Sequence, residues 1–479
     1  MSFRSQNTFR SLTAFILLVA MVAPWTMGCT PSSDPPDTAT NEISTPFQTE
    51  EATNEEATTE EATTDPPIDP PEHPQGTLFP SLHITTADGL PIVSQTEGKD
   101  VVITISGSLP AYNITAEAKM KGRGNSSFDG EAPLDDYKSK NSYNIKFNKK
   151  INLLGVGETA DKDWVLIASK YDASALRNYL VWNLAEKMGR LPFVPASTWV
   201  ELYINQDCRG MYILCEKIEV ASDRVNIDDS PSTDPTDVGY LVEYDLRGAS
   251  KVGAVLDLTY FRLQNTDQAF EWVLQSEVYT PAETAAVRTH LQTCHDAILS
   301  GDRQRIEPLI DMPSFVDMFI LQELSKNPDV GCSSFYLQRD RGGKLYLTAP
   351  WDFDFAFGSY NVSVDHRDLV VDSDTTHSHP WFEALAEQEW FMRMVDQRLE
   401  EVSPLWEETK GEILALMPAL TVLADRNHER WNIYGQKFAI YPNDQVSVHL
   451  HSYEEHVTFL TQWTDKRFSS LKHAIDRHL

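Results

Sequence analysis

Cysteine is scarce, five in 479 residues, and none falls in a CxxC or Cys/His spacing, which excludes a zinc-built fold. Basic residues are outnumbered as well. Lys and Arg total 40 against 71 Asp and Glu, a formal charge of −31, and a surface of that sign does not gather the phosphates of nucleic acid. Near the start, the apolar stretch Ala14–Ala23 is too short and wrongly flanked for a stable membrane span. Residues 30–76 lack the apolar side chains that offset ordering entropy; they carry Pro, Thr, Ser and Glu, with EEATN, EEATT and EEATT in tandem from Glu50.

What is present divides the chain. Residues 1–28, with Arg4 and Arg10 ahead of the apolar stretch, read as a signal peptide. The Gly28-Cys29 pair looks like the end of a bacterial lipobox, with Thr26 and Met27 where Leu and Ala are usual. That likeness makes Cys29 the lipidated residue of an exported protein, anchored to the extracytoplasmic side of a bacterial membrane by its lipid alone. Residues 29–77 follow as a disordered acidic tether. Residues 1–76 account for −10 of the charge and leave −21 for the body, a field that favours metal cations and basic substrates.

Order begins near Leu78. LFPSLHITTADGLPIV, KDVVITISG, ITAEAKMKG and SYNIKF alternate apolar and polar residues as strands do, and TWVELYI and MYILCEKIEV flank a polar turn at Asn205-Gln206-Asp207. Leu176, Leu180, Leu184 and Met188, four apart, predict an amphipathic helix with Asp172 as N-cap. After GYLVEYDL the pattern turns helical, at roughly 267–276, 281–299, 314–326, 378–418 with breaks, and 450–478. Ser314, with Asp317 behind it, resembles a capping box. The expected architecture is α+β: a β-rich N-terminal lobe at 78–247 and a mainly helical C-terminal lobe at 248–479, interrupted by the hairpin SSFYLQRD-RGG-KLYLTAPWDFDF. Cys208 and Cys215, seven apart in one strand and roughly 23 Å distant if extended, do not pair with each other.

The chemistry gathers at that hairpin. A turn at Arg341 and Gly342 brings Asp329 level with Phe353 and Asp354, and Asp352 and Asp354, two apart, share a face if the strand continues. Paired carboxylates among Pro350, Trp351, Phe353, Phe355 and Phe357 suit Mg2+ or Mn2+ holding phosphate oxygens. Phosphoryl transfer needs one carboxylate to orient the attacking hydroxyl and another to hold the metal. GRGNSSF, Gly122–Phe128, is a loop able to wrap phosphates, and Lys140 or Lys146 stands where a phosphate-contacting lysine would, with Glu216 as its ion-pair partner.

The run KGRGNSSF, KNSYNIKF, DKDWVLIASKYDASALRNYLVWNLAEKMG, VELYINQDCRGMYILCEKIEV, GYLVEYDL, ELSKNPDVGCSSFYLQRD and GKLYLTAPWDFDFAFG resembles the CotH (spore-coat protein H) kinase family. The resemblance implies an atypical, two-lobed protein-kinase-like fold and transfer of phosphate from ATP, with Mg2+ or Mn2+, to Ser or Thr hydroxyls of surface or coat proteins. It makes Asp329 of Asn327-Pro328-Asp329 the hydroxyl-orienting base and Asp352 of Pro350-Trp351-Asp352 a metal ligand. Where some members carry Asn as a second ligand this chain has Ser334, leaving Ser334, Asp354 or a water to substitute. Arg123, Gly124 and Lys140 fall on the family's phosphate-contacting positions. Two other readings stand beside it: a non-catalytic surface, coat-assembly or adhesion protein of the same fold, and a glycan-acting lipoprotein using paired carboxylates.

Overall fold

The structure, a computed structural model, describes residues 79–479 except 108–111, 158, 232, 246–259, 265–270, 276–278, 361–362, 374–377 and 437–445. The expected signal peptide, Cys29 and tether lie outside the described residues. Strands form where alternation is cleanest. In Lys99–Ser106 (β2), Val101, Ile103 and Ile105 are buried while Val102 faces out, because successive side chains leave opposite faces of a strand. With Ser81–Thr86 (β1), Thr115–Arg123 (β3), Ser142–Ile151 (β4), Asp161–Ile167 (β5), Ser197–Ile204 (β6) and Asp207–Glu216 (β7), it closes a seven-stranded barrel in the order β1-β2-β3-β4-β5-β7-β6. Every pairing is antiparallel but one. β1 lies parallel to β6, and that pairing shuts the barrel. Leu82, Ile103, Met120, Trp164, Leu166 and Leu214 fill the inside, so the barrel is a packed core.

The second faces of β5, β6 and β7 are buried too. Val165, Trp199, Met211 and Ile213 belong to the other core, which is why these strands read as unbroken apolar runs. Helix Arg177–Met188 (α1) is part of that core through Leu180, Leu184 and Met188. The turn joining β6 to β7 uses Asn205 and Gln206 at φ 50° and 69°, the left-handed pair that a two-residue hairpin demands.

A second, five-stranded sheet has the order β12-β11-β8-β10-β9, built from Tyr240–Tyr244 (β8), Tyr260–Arg262 (β9), Glu271–Leu274 (β10), Phe335–Arg339 (β11) and Leu345–Thr348 (β12). The helix expected over 267–276 is therefore corrected where it is described: β10 pairs with β8, and Trp272 is buried against Tyr244 and Trp381. The hairpin register is one residue off that expected, since Leu337 faces Leu347 and not Tyr346.

Around this sheet lie Pro281–Ser300 (α2), Arg303–Ile306 (α3), Met312–Ser325 (α4), Pro380–Ala386 (α5), Glu389–Trp431 (α6) and Tyr453–Asp476 (α7). α4 is buried on every side, as a helix apolar all round must be. Its N-cap is Asp311, which accepts the Ser314 N–H at 2.9 Å; the capping box expected from Ser314 does not form, and Asp317 pairs with buried Arg398 at 2.8 Å instead. α6 runs through Pro404 and Pro418, both on its exposed side, where water can take the carbonyls they release. The content is thus mixed, strand-rich towards the N-terminus and helical towards the C-terminus, with β8 contributed to the later sheet. Among the described residues no helix is long and apolar enough to cross a membrane.

Candidate active site

Buried α4 ends at Lys326, which turns left-handed at φ 51°, and the chain enters Asn327-Pro328-Asp329. Buried Arg467 of α7 locks this end by donating to the Glu323 carbonyl at 2.9 Å and to its carboxylate at 3.3 Å. Asn327 then does two things. Its Oδ1 accepts the Asp329 N–H at 3.1 Å, and its Nδ2 donates to the Asp352 carbonyl at 3.4 Å. One side chain thereby ties the stretches that carry Asp329 and Asp352, and both aspartates are half-buried.

The route to Asp352 differs from the one expected. β12 stops at Thr348, so alternation does not carry Asp352 and Asp354 onto one face: Asp352 is left-handed at φ 66°, and a turn follows. Asp354 is buried. Burial pushes its carboxyl well above the usual carboxylate range, helped by the charges of Asp352 and then Asp172. α1 grips this segment. Asn178 Oδ1 accepts the Phe353 N–H at 3.0 Å, Asn178 Nδ2 donates to Asp354 Oδ1, and Arg177 Nε donates to the Ala356 carbonyl at 3.0 Å. The N-cap of α1 is Leu176 and not Asp172 as expected, because the helix begins only at Arg177; Asp172 instead pairs with Arg177 and accepts the Leu176 and Arg177 N–H groups from upstream.

The GRGNSSF loop reaches the same place from the barrel. At Gly122 a Cβ would stand 1.9 Å from the Phe128 ring, and at Gly124, φ 93°, the same distance from Ser127 Oγ, so both positions require glycine. Tyr171 donates to the Ser126 carbonyl at 2.8 Å while its ring packs on Phe355 at 5.4 Å. Arg123 lies over the Trp351 ring at 5.2 Å, beside Asp352 in sequence.

Residues 120–471 match the family model described as CotH kinase protein. The chain belongs to the CotH kinase family. The match opens within β3, so β1 and β2, which complete the barrel, precede the matched CotH region. No curated protein matches the chain.

Of the residues singled out in sequence, this CotH structure ties Asp329 to the Asp352 stretch through Asn327, sets Asp354 beside Asp352, and lays Arg123, next to Gly124, over the Trp351 ring. Ser334, left-handed at φ 61°, stands half-buried at the entrance to β11. Lys140 precedes β4 and is buried, donating to the Ala168 carbonyl and, at 2.9 Å, to the Met211 carbonyl. Its ammonium is also over the Tyr212 ring at 4.7 Å, and burial lowers its pKa to about 7. Two residues lie elsewhere. Lys146 is exposed on the barrel wall opposite Asp163 at 3.6 Å, and Glu216 accepts the Ala196 N–H at 3.0 Å, against Gly157 and paired with neither lysine. Among the described cysteines, Cys208, Cys215 and Cys294 are free thiols.

Asp329, Asp352 and Asp354 are not a preassembled cage. Among the described residues, the grouping of three acids whose oxygens all lie within 4.8 Å of one another is Asp161, Asp163 and Glu219, on the barrel. The residues that could hold a divalent ion here are the carboxylates of half-buried Asp352 and buried Asp354, two positions apart. Sequence reasoning missed Asn178. An amide inside a helix carries no motif, and the one available signal was its place in the first turn after Asp172.

Proposed function

We propose that this chain is a metal-dependent protein kinase that transfers the terminal phosphate of ATP to Ser or Thr hydroxyls of surface or coat proteins. In this reading it is exported and held outside a bacterial membrane by a lipid on Cys29, and its fold is a two-lobed relative of the protein kinases. The observation that carries the reading is Asn327, which fixes the Asp329 and Asp352 stretches to each other in a chain of the CotH kinase family.

The roles follow from the chemistry of the reaction. The acceptor oxygen attacks the γ-phosphorus, the bond from that phosphorus to the bridging oxygen breaks, and ADP leaves with the electron pair. Asp329 orients the hydroxyl and takes its proton. Arg123 and the loop at Gly124 face the charge of the phosphates. Asp352, with Asp354 or Ser334 in support, would hold Mg2+ or Mn2+, which supplies charge neutralisation to the phosphates.

Incubating the full chain with labelled ATP, Mg2+ or Mn2+ and Ser- and Thr-rich exported proteins tests the proposal. Incorporation that vanishes in Asp352→Ala and Asp329→Asn is expected. No incorporation into any acceptor would instead support a non-catalytic surface protein, a reading that Ser334 in place of an amide ligand favours.

A further inference from the structure

The segment bearing Asp352 is held in a conformation that its own sequence does not favour. Ala349, Asp352 and Phe357 are all left-handed, at φ 44°, 66° and 53°, and none is glycine. Such residues persist only where neighbouring groups over-determine the backbone. The Phe193 and Ser325 carbonyls accept the Ala349 and Phe357 N–H groups, Asn327 donates to the Asp352 carbonyl, and the remaining grips come from one face of α1. Trp182 Nε1 donates to the Pro350 carbonyl at 2.6 Å, and Asn178, one helical turn earlier, holds Phe353 and Asp354. The two side chains thus grip the backbone on either side of Trp351 and Asp352. Asn178 is 3% exposed, so no water competes for its amide.

We infer that Asn178 is a positioning residue: through its bonds to Phe353 and Asp354 it aims Asp352 at the divalent ion that accompanies the phosphoryl donor. The inference rests on the kinase reading and deepens it, because it gives α1 control over the metal site. An Asp at this position would still accept the Phe353 N–H, but it would lose the donor to Asp354 and add a negative charge beside it. A bare Ala would release both bonds. Asn178 touches neither acceptor nor nucleotide in this account, so its loss alters how well the ion is held and leaves acceptor binding alone.

The test is Mn2+ binding to the full chain, followed by electron paramagnetic resonance of the free ion, beside steady-state kinetics where transfer is seen. Asn178→Ala and Asn178→Asp are expected to weaken Mn2+ binding roughly tenfold to a hundredfold, the usual cost of removing a group that orients a ligand. The rate constant should fall, while the KM for the acceptor protein stays put. Asn178→Asp keeps the acceptor for Phe353 and loses only the donor to Asp354, so it decides the matter if Asn178→Ala does not fold. Wild-type Mn2+ affinity in folded Asn178→Ala or Asn178→Asp overturns the inference. Asp352→Asn is the control that separates the two claims: if it leaves Mn2+ binding unchanged, the metal reading itself fails and takes this inference with it.

Discussion

Two groups of acids in this molecule look alike in sequence and behave in opposite ways. On the barrel wall, Asp161, Asp163 and Glu219 bring their oxygens within 4.8 Å of one another, the geometry that first suggests a metal. Fixed cations already answer them: Lys217 lies 2.8 Å from Glu219 and 3.7 Å from Asp163, Lys146 is 3.6 Å from Asp163, and Arg224 pairs with Glu219. Beside the hairpin, Asp352 and Asp354 are less tightly grouped, and Asp354 is held by a neutral amide while feeling the charges of Asp352 and Asp172. Closeness of oxygens is therefore by itself a poor guide to a metal site, because fixed cations can already answer the charge.

The comparison breaks most visibly in activity. Asp329→Asn should lower the rate of phosphate transfer roughly 10²- to 10⁴-fold, the usual contribution of a positioned base. Asp163→Asn, on the barrel, should stay near wild type. Initial rates with labelled ATP read both, and a crippled Asp163→Asn beside an active Asp329→Asn would exchange the roles of the two groups.

Stability should separate them next. Arg177→Ala strands the buried carboxylate of Asp172, and losing one partner of such a pair costs about 3–5 kcal/mol. Lys217→Ala removes a half-exposed cation and should cost at most ~1 kcal/mol. Urea titrations of the two variants measure the gap. A smaller contrast comes from Mn2+ itself: at roughly a hundred times its Kd the ion should stabilise the folded chain by about 2.7 kcal/mol, kept in Asp163→Asn and lost in Asp352→Asn. A thermal shift that disappears in Asp163→Asn would move the metal to the barrel.

Much of this was legible beforehand, and what was not has physical reasons. Alternation gives β2 and β3 because each has one wet face, and spacing by four gives α1. The hairpin and its NPD and PWD elements, together with kinship, point to Asp329 and Asp352. The closure of β1 on β6 joins strands more than a hundred residues apart, which no local pattern encodes. β10 reads as a helix because it is four residues long, and its strand character comes from Tyr244 and Trp381 packing on Trp272. The bend at Asp352 escapes notice because glycine is the usual sign of a left-handed residue, and here Asn178, Trp182 and Asn327 hold it in glycine's absence.

The smallest effect concerns the lysines of the two regions. Lys146 and Lys217 on the barrel wall reach solvent, whereas Lys140, near Asp354, is 2% exposed, and its pKa is lowered to about 7 by burial first and the nearby charge of Arg209 second. Between about 7 and the ordinary lysine value of 10.5 the unfolded chain therefore binds more protons than the folded one at this site. Stability must rise with pH across that window, and the burial penalty is fully felt below it. Lys140→Met removes the titrating group but keeps a side chain of similar length over Tyr212. The stability difference, wild type minus variant, should accordingly grow as pH increases from neutral to alkaline and level off once free lysine is neutral. Urea titrations of both proteins through that range provide the check. A difference that does not change with pH would mean that Lys140 stays charged in its carbonyl-lined seat.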